Sequence, residues 1–197
     1  MSYLQSINYK VIAALGLKEK GLKKIAEDFE GGPTDLKTDA LSFALKKISR
    51  HTPKPILAAV LQMVLNHIFR QPLQAGDMNF LQNKAVNIVV KDMDLQFSVS
   101  LDEQQRKPKL CIGFDIRKVD LTFSSHSDYF LLMALNKIDP DTLFFQRKLS
   151  IKGDTDLGLY VKNLLASLDV TQHLPATICQ WIERLATEIY NKKMASF

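Results

Sequence analysis

The hydrophobic positions of this chain follow two periods, and the change between them divides it. Leu17, Leu22, Ile25, Ala26 and Phe29 fall on one helical face, with Lys18, Lys20, Lys23 and Lys24 around the rest. Gly31-Gly32-Pro33-Thr34 breaks that pattern. Leu41, Ala44, Leu45 and Ile48 resume it, ending in Lys46, Lys47 and Arg50. A second break, Thr52-Pro53-Lys54-Pro55, opens a longer apolar helix from Ile56 to Phe69, which stops near Pro72 and Ala75-Gly76. The period then drops to two. Val86, Ile88 and Val90 share a face, as do Leu95, Phe97 and Val99 against Gln96, Ser98 and Ser100. After a polar turn from Glu103 to Pro108 come Leu110, Ile112 and Phe114, then Val119, Leu121 and Phe123, and finally Leu149 and Ile151.

Five strands with one oily and one wet face predict a mostly antiparallel sheet in an α/β (α+β) fold. The oily face needs a cover. The expected helices are the one at 56–70, one after Ser125-His126-Ser127-Asp128, one over 155–168 and one after Pro175. Ser125 and Asp128 approximate a capping box, with Asp in place of Glu or Gln. Asp139-Pro140-Asp141 signals a helix start, and Asp154 after Gly153 signals an N-cap.

Charge sharpens the division. Of the net +5, most sits in residues 1–54, with ten Lys/Arg against six Asp/Glu; the remainder holds sixteen against fifteen. A nucleic-acid binder would carry its basic stripe on the folded body, so no nucleic-acid partner is expected. A basic amphipathic extension suits peripheral contact with an anionic inner-membrane surface, and equally a solvated charged face, or a helical decoration packed on the body. Cys111 and Cys179 make no disulfide framework and read as reduced thiols of a cytoplasmic protein. No run reaches the ~20 apolar residues of a membrane span, and VIAALGL after Lys10 lacks a cleavage pattern.

Motif chemistry is missing. There is no G-x-S-x-G, P-loop, G-x-G-x-x-G or H-E-x-x-H. His51, His67, His126 and His173 are scattered, and no motif supports a catalyst built on Cys111 or His126. Asp139, Asp141, Asp154 and Asp156 lack the further oxygen ligands of a metal site. The expectation is no enzyme, no metal and no cofactor.

What the chain has in quantity is large apolar side chains. Leu157, Val161, Leu164, Leu165 and Leu168 make a wide helical stripe, flanked by Tyr160. Phe130, Leu131, Ala134, Leu135 and Ile138 precede it, and Leu143-Phe144-Phe145 reads as a linker between. These residues suit a filled core, and they suit a cavity for a long apolar ligand. In a cavity, the hydrophobic effect would supply ~0.8 kcal/mol per buried CH₂ with no catalytic group. Periodicity does not separate the two.

DPDTLFFQRKLSIKGDTDLGLYVKNLLASLD, Asp139 to Asp169, resembles the C-terminal half of the sterol-carrier-protein type 2 family. FRQPLQAGDMNFLQNKAVNIVVKDMDLQF, Phe69 to Phe97, is similar to the same family, and more narrowly to its bacterial ubiquinone-biosynthesis accessory factors. The similarity spans roughly residues 50–170. It implies a twisted, largely antiparallel five-stranded sheet with helices on one face around a hydrophobic tunnel. It implies lipid binding without catalysis, with isoprenoid quinone precursors or phospholipid as cargo in oxygen-independent ubiquinone synthesis. UbiU–UbiV-type iron–sulfur hydroxylases are the partners it implies. On this reading Phe97, Ile112, Phe114, Leu121, Phe123, Phe130, Phe144, Phe145, Leu157, Val161 and Leu164 line the tunnel, and Gly153-Asp154-Thr155 is architectural. The chain divides into a basic helical extension (1–50), a lipid-binding domain (51–175) and a C-terminal helix (176–197). The alternative is an interaction scaffold with a filled core and no lipid.

Overall fold

Five strands form one sheet in a computed structural model that describes residues 53–102, 108–114, 118–168, 170–173 and 176–194. The two amphipathic stretches before residue 50, and the membrane reading attached to them, lie outside the described residues. The strands are β1 (Ala85–Val90), β2 (Leu95–Asp102), β3 (Lys109–Gly113), β4 (Leu121–Ser125) and β5 (Ser150–Gly153). Their order is β3-β2-β1-β4-β5. β1–β2, β2–β3 and β4–β5 pair antiparallel, while β4 returns to lie parallel to β1. The sheet is thus mostly antiparallel, as expected. Val119, read as part of a strand, precedes β4.

Register carries the oily face across all five strands. Val86 lies opposite Val99 and Leu121, and Val99 opposite Ile112. Ile88 sits between Phe97 and Phe123, with Ile151 beyond Phe123. On the other face, Asn87 lies opposite Ser98 and Thr122, and Ser100 opposite Cys111. Asn87 is buried there, but it donates to Thr122 Oγ1 at 3.2 Å and accepts from Gln96 Nε2 at 3.2 Å. A buried amide is stable only when satisfied in this way.

The apolar helix is α1 (Lys54–Ile68), running beside β3. Its Asn66 bonds the edge of the sheet twice. Nδ2 donates to Leu110 O at 2.8 Å, and Oδ1 accepts from Leu110 N–H at 2.9 Å. A side-chain amide thereby stands in for the missing neighbour strand and blunts an edge that would otherwise invite pairing. A short α2 (Arg70–Ala75) follows and ends at Gly76.

The start of α3 (Ser127–Ala134) corrects the capping-box expectation. His126 is the N-cap and its side chain makes no capping bond, while Asp128 accepts only from the adjacent Tyr129 N–H, at 3.0 Å. Asp92, after β1, takes the role, accepting from Ser127 N–H at 2.8 Å and from Ser127 Oγ. Burial pushes the Asp92 carboxyl up, but those two hydrogen bonds outweigh it and hold the group below its ordinary value. Ser125 instead donates from Oγ to Lys148 O at 2.8 Å, and Asp128 pairs with Lys193 Nζ at 2.6 Å.

Leu143, Phe144 and Phe145, read as a linker, belong to a further helix, α4 (Pro140–Phe145). Asp139 caps it as expected, accepting from Thr142 N–H at 3.0 Å. Its other end is a Schellman turn: Lys148 N–H donates to Leu143 O at 2.9 Å and Arg147 N–H to Phe144 O at 3.0 Å. Arg147 occupies the left-handed position at φ 59°, where glycine is usual. The conformation costs a non-glycine residue roughly 1–2 kcal/mol.

The junction into α5 (Thr155–Ser167) is architectural. Asp154 accepts from Leu157 N–H at 3.0 Å and pairs with Lys84 Nζ at 2.6 Å. The Leu157 bond first, then the Lys84 bond, hold its carboxyl below the ordinary value. Gly153 has φ 121°, and a Cβ there would stand 2.2 Å from Asp120 O. Only glycine fits. The last helix, α6 (Ala176–Met194), adds Ala186 and Ile189 to the same core as the sheet. Lys193 Nζ, 4.0 Å above the Tyr129 ring, ties it to α3.

Candidate functional site

The oily face of the sheet is the floor of the only region that sequence reading singled out. Of the floor residues expected to line a tunnel, Phe97, Leu121 and Phe123 are buried, and Ile112 and Phe114 are half-buried. Of those expected on the helices, Leu157 and Val161 are buried on α5, while Leu164 and Phe130 are half-buried. All nine pack in or against one hydrophobic cluster.

Phe144 and Phe145 do not join them. They are 44% and 80% exposed. Successive helical residues turn by about 100°. Leu143 holds the inward position of α4 and is fully buried, so the two residues after it face away. Read as an irregular linker, both rings could turn inward; on a helix anchored by Leu143, they cannot.

The covering is uneven. At the β5 edge α5 sits tightly: a Cβ on Gly158 would meet Ile151 Cγ2 at 3.1 Å and Leu121 Cδ1 at 3.4 Å. At the other edge α1 holds β3 through Asn66. Half-buried positions of the oily face lie at its edges and at its centre alike: Ile112 on β3, Ile151 on β5 and Ile88 on the central strand. Ile88 is only half-buried, although its partners on both sides, Phe97 and Phe123, are 6% and 0% exposed. In a close-packed core the central position of the central strand should be the best sealed. Here Ile88 stays partly accessible. Ile88 was legible as an oily-face residue, but not as one left half-buried between sealed neighbours. Gly158 had one signal, a lone glycine inside an apolar helix.

The arrangement is poorly equipped for bond chemistry. Cys111 lies on the wet face, opposite Ser100, and burial first, then Asp102, pushes its thiol up and away from the reactive thiolate. His126 is exposed, with its ring edge-on to Tyr129 at 6.4 Å. β3 and β4 are three strand spacings apart, ~14 Å at ~4.8 Å per spacing, so the sheet order separates Cys111 from His126. Asp139 and Asp154 are helix caps, and Asp141 pairs with Lys162 Nζ at 2.7 Å. Among the described residues no three His, Cys, Asp or Glu side chains gather as a metal site. Among them, too, no buried side-chain nitrogen or oxygen lacks a hydrogen-bond partner that a polar substrate could claim.

Comparison with known proteins accords with this geometry. Residues 65–166, a little over half the chain, match the model of the SCP-2 sterol transfer family. The ubiquinone biosynthesis accessory factor UbiT of Escherichia coli (strain K12) is 40% identical over 135 residues, 68% of this chain and 74% of that protein. Among solved structures, a UbiJ-SCP2 ubiquinone synthesis protein is 18% identical, covers 57% of this chain and 95% of its own, and has a TM-score of 0.45. Sterol carrier protein 2 from Yarrowia lipolytica, in its apo form, is 16% identical, covers 55% and 89%, and has a TM-score of 0.37. By the family model and the identity to UbiT, this chain belongs to the SCP-2 sterol transfer family.

Proposed function

We propose that the protein is a non-catalytic lipid-binding accessory factor of ubiquinone biosynthesis. It holds an isoprenoid quinone precursor, or a phospholipid, between the oily face of the sheet and the helices. It presents that cargo to hydroxylases of the UbiU–UbiV type in the oxygen-independent pathway. The observation that carries the reading is the half-burial of Ile88 between two sealed phenylalanines. Family membership and the likeness to UbiT support a part in ubiquinone biosynthesis. A prenyl tail is insoluble, so a reaction carried out off the membrane needs a protein to shield it. At ~0.8 kcal/mol per buried CH₂, such a tail binds with no polar contact at all.

The test is native mass spectrometry of freshly purified protein, followed by organic extraction and lipid analysis. A co-purifying isoprenoid quinone or precursor is the expected result. A second reading, an interaction scaffold with a filled core, is favoured by the complete sealing of Phe123, Leu121 and Leu157. It predicts a bare protein mass and no uptake of isoprenoid lipids offered in detergent, and that outcome would displace the carrier.

A further inference from the structure

The two phenylalanines excluded from the core raise a separate question. Phe144 and Phe145 stand edge to face, with ring centroids 5.9 Å apart, on the surface where α4 ends. They are pinned there. Leu143 before them is 0% exposed and Leu149 after them 1%, and the N–H groups of Lys148 and Leu149 both donate to Leu143 O. The pair therefore cannot swing inward without unseating the core. Two adjacent exposed aromatic rings at a rigid tip point to an interaction surface.

The charges beside them narrow the kind of partner. Gln146, Arg147 and Lys148 follow directly, and Lys152 is exposed on β5. Among the described residues no carboxylate pairs with Arg147 or Lys148. The acids of α4 are engaged elsewhere: Asp139 caps its own helix, and Asp141 pairs with Lys162. Arg147 holds the left-handed turn position that glycine would fill without strain.

We propose that the tip from Phe144 to Lys148 docks on an anionic lipid bilayer. The two rings enter the interface, and Arg147 and Lys148 meet lipid phosphates. Apolar insertion beside cations is the chemistry of interfacial membrane binding. A protein groove could accept the rings but leaves the two cations without a role. The proposal rests partly on the carrier reading, because a prenylated cargo is stored in the membrane and a carrier must reach it there. Docking itself needs no cargo and is measured without it.

The experiment is co-sedimentation of the full chain with quinone-free vesicles. One set is phosphatidylglycerol and phosphatidylethanolamine; the other is phosphatidylcholine alone. Binding to the anionic set that falls with salt is expected. The Phe144→Ser, Phe145→Ser variant should bind about tenfold more weakly. Arg147→Gly should also bind more weakly, while its thermal midpoint holds or rises because glycine relieves the turn. A wild-type chain that ignores both vesicle sets overturns the proposal. So does a double Phe variant that sediments like wild type, which would place docking elsewhere, as on residues 1–50. An Arg147→Gly protein with undiminished binding overturns the role of the cation. Vesicle binding that depends on the Phe pair supports docking whatever the cargo analysis returns; an empty protein counts against the carrier reading alone.

Discussion

Ile88→Phe separates a cavity from a filled core in one substitution. Ile88 lies at the centre of β1, opposite Phe97 on β2 and Phe123 on β4, and is half-buried while both neighbours are sealed. If the space above it is open, a phenyl ring occupies that space. Added burial of ~30 Å² of apolar surface would contribute roughly 0.8 kcal/mol at ~25 cal/mol per Å². If the space is already packed, the same ring forces neighbours off their rotamers at a cost of ~1–3 kcal/mol. Leu121→Phe is the internal control. Leu121 is 1% exposed, and Gly158 is seated against its Cδ1, so that site has no room. Urea denaturation gives both stabilities, and native mass spectrometry of the same preparations gives lipid occupancy. The expected outcome is Ile88→Phe within ~1 kcal/mol of wild type and stripped of lipid, with Leu121→Phe destabilised. Equal destabilisation of the two variants would refute an open centre, and with it the main structural support for the carrier.

Gly153→Ala should destabilise the protein by at least about 3 kcal/mol or prevent folding, because strained φ and a clash act together; the denaturation midpoint against wild type checks it. Its Cβ would fall 2.2 Å from Asp120 O, the atom that accepts from Asp154 N–H at 2.9 Å. Asn66→Ala removes both hydrogen bonds to the Leu110 backbone, at a cost of ~2 kcal/mol, and frees the β3 edge. Denaturation should show the loss, and size-exclusion chromatography should show concentration-dependent association. Asp92→Asn tests the cap borrowed by α3. The folded carboxyl lies below its ordinary value near 3.8, so its stabilisation is present above that pH and is lost as pH falls through the lower folded value. The variant should be less stable at neutral pH and flatter through the acid limb, and an acid limb identical to wild type would count against the cap.

The elements were legible because periodicity and capping are properties of one segment. Alternation of two placed Val86, Ile88, Phe97, Val99, Leu121 and Phe123 on one face, and the register confirms it across strands. Asp139 and Asp154 cap the helices their own turns announce. Gly153 marked a junction whose geometry only glycine meets.

The remaining features depend on segments far apart in the chain. The helix after Ser125 is capped by Asp92, 35 positions away from Ser127, because the end of β1 lies beside the end of β4 in the sheet. Asn66 looks like any polar residue on an apolar helix until β3 is laid beside it, 44 positions on. Phe144 and Phe145 have the composition of tunnel lining, but Leu143 takes the single inward direction that α4 offers. Hydrophobicity says which residues gain by leaving water; it does not say which find a partner. That is settled by which elements meet, and Ile88, at the centre of the sheet, is left half-buried between two sealed neighbours.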